Sequence, residues 1–232
     1  MTPLYLHGLP GSGAELALGG RSMPVLDRNA PSFAQTAIRL PAGPLHLIGF
    51  SLGAACALRL AVLAPEKIGR VTLISAAAPL ELGDFLPAMA GAPVFRLARS
   101  HARLTMLTTI QSTLARLSPA LMLKLLMKGA DPADLSLYAG PDGAIVRRAV
   151  TEGLTHHKAV YLREVAAYVQ PWARHLAYVR CPVDLHHGRA DRWAPFEMAQ
   201  TLTKALTRAD VTLHPHADLG HYSTLKQVLP TL

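Results

Sequence analysis

The sequence predicts an α/β fold: a mostly parallel sheet of about six strands, helices on both faces, and a helical insertion. Three observations carry this. Short apolar runs alternate with helical patterns in both terminal parts of the chain. The middle, from about Asp84 to Tyr168, carries helical periodicity and no strand pattern. Half of the 232 residues are hydrophobic, while only 16% are charged and 6% aromatic, so Leu and Ala carry the packing and an all-β sandwich is disfavoured.

Taken in order, the strand-like runs are Leu4-Tyr5-Leu6, Met23-Pro24-Val25-Leu26 (a weaker candidate), Leu45 to Phe50, Val71 to Ile74, Val183 to His186 and Val211 to Leu213. Leu52 to Leu60 reads as a tightly packed small-residue helix that Pro65 helps to end. In the middle, Leu104, Leu107, Ile110, Leu114, Leu117 and Leu121 recur at helical spacing and are expected to form mostly interior packing. Asp131-Pro132 and Gly140-Pro141-Asp142-Gly143 punctuate shorter helices, and Thr155 to Val169 reads as another. The expected organisation is a core of residues 1–84 and 169–232 with a helical cap, 85–168, inserted in it.

Composition excludes several classes. No 20-residue apolar stretch is uninterrupted; Leu104 to Met127 contains Arg116, Pro119 and Lys124, so no membrane span is expected. Cys56 and Cys181 read as two buried thiols rather than a disulfide framework. The N-terminus has neither a basic n-region nor an adequate apolar h-region, which reads as cytoplasmic. The formal charge of +8 is scattered, without a Lys/Arg run interleaved with aromatics, so a nucleic-acid site is not expected. The excess reads as a solvated basic face, with attraction of an anionic substrate or an acidic carrier protein as the alternative.

Three polar clusters follow strand ends. Ser51 sits in Gly49-Phe50-Ser51-Leu52-Gly53, between a strand and a helix; the glycines leave room for a sharp turn that projects the hydroxyl. Asp191 lies in His187-Gly188-Arg189-Ala190-Asp191-Arg192-Trp193, and His221 follows Gly220 in a late loop. Strand C-termini of a parallel sheet share one edge. A serine needs a base, and the base needs a carboxylate to hold its tautomer. The N-terminal loop His7-Gly8-Leu9-Pro10-Gly11-Ser12-Gly13 lacks the Lys-Ser/Thr ending of a phosphate loop. It can instead turn the Leu9 N–H, with that of Leu52, towards a developing oxyanion.

Other residues compete for these roles. Asp184 and Asp218 are alternative acids, as are Glu81 and Asp84 after the Val71–Ile74 run. His186 and His187 read as strand-end packing residues. His214-x-His216-x-Asp218 is similar to part of a metallo-hydrolase signature, but Leu219 stands where the next histidine belongs, and no metal or other cofactor is expected.

With those four segments in that order, the sequence resembles the α/β-hydrolase superfamily, specifically its helical-cap, esterase-like members, over nearly its whole length. The resemblance implies the α/β-hydrolase fold, with His7, Gly8, Leu9 and Pro10 in the oxyanion loop. It implies Gly49, Ser51 and Gly53 in the nucleophile elbow, Asp191 as the acid and His221 as the base. It also implies a cofactor-free serine esterase acting through an acyl-enzyme. Thioesterases, carrier-protein methyl-ester esterases, carbon–carbon bond hydrolases and a lyase use the same triad, and a non-catalytic receptor module is the alternative from another class. Against the family pattern the first two strands are missing and the segment between oxyanion loop and elbow is short. The outer sheet edge is therefore expected to be exposed or covered by a partner, with the chain a monomer or homodimer.

Overall fold

A computed structural model describes residues 1–232. Its centre is a five-stranded, wholly parallel sheet of β1 (Thr2–Leu6), β2 (Leu45–Phe50), β3 (Ile68–Ile74), β4 (Val183–Gly188) and β5 (Val211–His216), in that spatial order. Register is continuous across the C-terminal halves: Leu6 lies beside Gly49, Phe50 beside Ile74, Ile74 beside His186 and His186 beside His214. The central strands are buried on both faces, as parallel strands with helices on each side must be.

The sixth run does not become a strand. Val25 forms one isolated parallel bridge to Tyr5, held by Tyr5 N–H to Pro24 O and Leu26 N–H to Tyr5 O, both 2.8 Å. Pro24 has no donor with which to extend the ladder. The bridge still sets the topology. From β1 the chain moves outward to Val25, through a 3-10 helix (Gly13–Gly19), and then back over β1 to β2, through α1 (Phe33–Ile38). Right-handed crossovers put these two connections on opposite faces. Accordingly the 3-10 helix packs with the last helix, α10 (His221–Val228), while α1 packs with α2 (Leu52–Leu63). The crevice between the ends of β1 and β2 is thus a topological switch point, where open α/β sheets bind ligands.

Between β3 and β4 there is no strand. Six helices fill this segment: α3 (Ala92–Leu97), α4 (His101–Leu117), α5 (Pro119–Leu126), α6 (Pro132–Ala139), α7 (Gly143–Thr155) and α8 (Lys158–Tyr168). Two expectations are corrected here. The leucine stripe is not mainly interior: α4 buries Leu104, Thr108, Ser112 and Ala115, whereas Ile110 and Leu117 are exposed. Small side chains on the inward face let α7 and α8 approach closely, and Thr108 satisfies its hydroxyl on the Leu104 carbonyl at 2.8 Å. Pro119 starts a new helix, so Leu121 does not continue the stripe. The helix expected from Thr155 starts at Lys158, after a break at His156-His157. No helix is long and apolar enough to cross a membrane. Cys56 is buried in α2 and Cys181 half-buried before β4, both free.

Candidate active site

Ser51 occupies the turn between β2 and α2 with φ 55° and ψ −121°, a left-handed conformation that a non-glycine residue adopts only where its surroundings enforce it. Here the Ser51 N–H donates to Ile74 O (3.0 Å) and its carbonyl accepts from Ala54 N–H (3.1 Å), tying the turn to β3 and to the helix it starts. A Cβ on Gly53 would run into the Leu6 carbonyl, and one on Gly49 would come within 2.7 Å of Ala54 Cα. Those two glycines let the start of α2 sit directly on the ends of β1 and β2.

Gly8 does the same for the N-terminal loop. A Cβ there would lie 2.9 Å from Phe50 Cδ1 and 3.3 Å from Ser51 Cβ, so the loop backbone passes immediately beside the serine. The Gly8 N–H donates to Glu15 Oε1 at 2.8 Å, and Tyr5 Oη donates to the same oxygen at 2.7 Å. The next N–H, that of Leu9, has no acceptor within the protein. The Leu52 N–H opens α2, where no intrahelical acceptor exists. His7 lies behind the loop, buried, its carbonyl accepting from Arg28 Nη2 at 2.9 Å. Burial, and next the Arg28 charge, hold the His7 imidazole well below its ordinary pKa, so it stays neutral. Arg28 in turn pairs with Glu164 of α8 at 2.7 Å, both side chains almost fully buried, which clamps the core loop to the helical insertion.

At the end of β4, Asp191 accepts at Oδ1 from the Trp193 and Ala194 N–H groups (2.8 and 2.9 Å), and its Oδ2 lies 2.8 Å from His221 Nδ1. Asp191 and His221 are both buried. Burial alone would raise the Asp191 pKa; the His221 imidazole, the His187 ring and the backbone donors outweigh it and keep the group below the ordinary carboxylate value. For His221, burial would lower the pKa, but Asp191, then Asp134 and Glu15, outweigh it and leave it raised. Ser51 and His221 line one small cavity of about 30 Å³ with Leu9, Met127, Trp193 and Tyr222. A second cavity, of about 40 Å³ and mainly apolar, is also lined by Ser51 and reaches Val94, Phe95 and Val165. No hydrogen bond joins Ser51 Oγ to His221 in this conformation.

The competing residues lie elsewhere. Glu81 accepts the Trp172 and Ala173 N–H groups (2.5 and 2.6 Å), capping a 3-10 helix, and Asp84 and Asp218 are exposed. Asp184 pairs with Arg70 on the sheet face. His187 is buried and donates from Nε2 to the Ala194 carbonyl at 2.7 Å, bracing the Asp191 turn. His214 stacks on His186 with ring centroids 4.4 Å apart, next to His216, away from the Ser51 cavity.

Three residues near the site had no signal in the sequence. Asp134 of α6, fully buried, accepts from the N–H groups of His221, Tyr222 and Ser223 and from the Ser223 hydroxyl, at 2.8 to 3.1 Å, and so caps the helix that carries His221. Ser75, at φ 48° after β3, donates to the His221 carbonyl at 3.1 Å. Glu15 supports the Gly8 backbone from below, with burial pushing its carboxyl up to about 7. Asp134 is 87 positions from His221, and no local pattern marks such a pairing.

A serine on a strained strand-to-helix turn and an acid–histidine pair, all at the C-terminal edge of a parallel sheet, define an α/β protein of nucleophile-elbow type. The alpha/beta hydrolase family matches residues 5–228, and the chain belongs to that family. No curated protein matches it in sequence. Among solved structures it is similar in fold to MenH from S. aureus, with a TM-score of 0.66 at 15% identity over 100% of this chain and 91% of that one. An esterase from Thermogutta terrifontis has a TM-score of 0.62 at 14% identity, over 100% of this chain and 88% of that one. For an esterase from Exiguobacterium antarcticum the values are 0.60 and 15%, over 100% and 91%.

Proposed function

We propose that the protein is a serine hydrolase that cleaves carboxylic esters through an acyl-enzyme. The observation that carries this reading is the buried His221–Asp191 pair, 2.8 Å apart, with its ring on the same cavity as Ser51. In this mechanism Ser51 Oγ attacks the ester carbonyl carbon while His221 Nε2 takes the hydroxyl proton. The Asp191 carboxylate holds Nδ1–H and stabilises the imidazolium. The unpartnered N–H groups of Leu9 and Leu52 hold the oxyanion. His221 then protonates the leaving alkoxide, and water, deprotonated by the same nitrogen, releases the acid.

Residues 85–168 act as the cap, with Leu126 at the end of α5 and Met127 just after it forming part of the wall over Ser51. Cavities of about 30 and 40 Å³ hold only a few heavy atoms, so a larger ester enters by displacement of that wall. The apolar lining of the second cavity supports a short apolar acyl group rather than an ionic one. A p-nitrophenyl ester chain-length series on the wild type and Ser51→Ala, with intact mass after a fluorophosphonate probe, tests the reading. Turnover that falls about 10⁶-fold in Ser51→Ala, with one labelled site lost, is expected. Near-normal turnover in that variant overturns it; labelling at Ser51 without ester turnover moves the reading to a carbon–carbon hydrolase, lyase or receptor.

A further inference from the structure

Between Asp84 and Asp131 the chain contains no acidic residue, while Arg96, Arg99, Arg103, Arg116, Lys124 and Lys128 are all exposed. None of the six pairs with a carboxylate; the ion pairs of the protein lie elsewhere. A surface that serves only solubility mixes both signs. The same segment also leaves large apolar side chains in water. Met106, Ile110 and Leu117, spaced by four and seven residues, form one stripe on α4, and Leu117 is 81% exposed. On α5, Leu121 and Leu125 are exposed, and with Leu135 of α6 they line an open groove of about 880 Å³. Lys124, Lys128 and Arg147 line that groove too. Met127, just after α5, borders both this groove and the Ser51 cavity, so its side chain stands between the two.

We propose that the face formed by α5, α6 and this groove is a docking surface for an anionic lipid bilayer. Exposed aliphatic side chains interleaved with unpaired cations are the pattern of helices that lie in a membrane interface. Leu121, Leu125 and Leu135 enter the boundary between headgroups and acyl chains, while Lys124, Lys128 and Arg147 meet lipid phosphates. The net charge of +8 draws the whole protein towards such a surface. The lining is aliphatic and cationic and holds no carboxylate, which is the complement of an anionic lipid surface. The docking is independent of the ester chemistry, and Ser51→Ala protein binds equally well.

Co-sedimentation of the full chain with phosphatidylcholine vesicles, and with equimolar phosphatidylcholine–phosphatidylglycerol vesicles, tests the proposal. Binding to the second kind only, weakened by salt, is expected. At about fivefold per cation, the variant K124Q/K128Q/R147Q binds about a hundredfold more weakly. The variant L121S/L125S also loses binding with every charge retained, whereas the pair K204Q/R208Q, at and beyond the end of α9 (Phe196–Ala205) and outside the groove lining, keeps it. All of the substituted side chains are at least partly in solvent, and circular dichroism checks that each variant is folded. Equal binding to both vesicle kinds, or unchanged binding by the triple variant, overturns the proposal. So does a protein that ignores vesicles but captures an acidic acyl carrier protein through the same residues.

Discussion

Glu15 makes the stability of this protein depend on pH in a way that one substitution should remove. Its carboxyl is fully buried beneath the His7–Gly13 loop, where Oε1 accepts from Gly8 N–H and Tyr5 Oη, while Oε2 has no partner. Burial is the dominant influence and moves the pKa from 4.5 to about 7. The folded protein therefore holds a proton that the unfolded chain releases near 4.5, so stability falls as pH rises between the two values. At 1.36 kcal/mol per pH unit, the charged form is disfavoured in the fold by about 3 kcal/mol above pH 7. Gln at this position keeps an acceptor for Gly8 and Tyr5 and carries no charge. The stability difference between Glu15→Gln and the wild type should therefore grow by about 2.5 kcal/mol from about pH 5 to about pH 8. For a chain of this size that is about 5–10 °C in Tm. Urea unfolding of both proteins at the two pH values measures it, since the other titrating groups are shared and, His221 with its minor contribution from Glu15 apart, cancel in the difference. A difference that does not change with pH refutes the reasoning and means that Glu15 is solvated or compensated. Glu15→Ala serves as the contrast. It leaves the Gly8 N–H unpaired beside Ser51, and it should lower turnover where Gln does not.

The remaining predictions concern the site directly. Asp191→Asn should reduce ester turnover by about four orders of magnitude. It should also move the acidic limb of the rate profile to lower pH, because the group that chiefly raises the His221 pKa is gone and burial remains; an unmoved limb in a pH–rate series counts against the pairing. Asp134→Ala removes four hydrogen bonds from the first turn of α10 and should cost about 3 kcal/mol in urea unfolding. Asp134→Asn, which keeps one acceptor oxygen, should recover part of that; equal losses in the two variants would mean that packing, not capping, is what Asp134 supplies. Gly53→Ala drives a methyl into the Leu6 carbonyl and should lower stability by about 3 kcal/mol, read as Tm; a neutral result would show that α2 can retreat from β1.

The parts of this protein that were legible in sequence are those encoded over a few consecutive residues. Strand-like runs bounded by loops marked β1 to β5, and the Gly49–Gly53 pattern marked the turn, because close approach of α2 to β1 admits no side chain at Gly53. Periodicity did less well in the helical segment. It counted Ile110 and Leu117 as interior, since a leucine stripe looks the same whether its helix packs on protein or faces something outside it. The Met23–Leu26 run shows the same limit: one missing donor at Pro24 reduced a strand to a single bridge.

By itself, then, the sequence determined the α/β class, the order of the elements and the identities of Ser51, Asp191 and His221 as residues at strand ends. Only the tertiary structure decided what surrounds them. It put Asp134 at the start of the His221 helix, Glu15 under Gly8, Ser75 against the His221 carbonyl, and Met127 on both the Ser51 cavity and an open cationic groove. The physical reason is range. Turn and strand preferences act between neighbours along the chain, whereas a buried carboxylate finds its donors only after elements distant in sequence have packed and excluded the water that would otherwise solvate it.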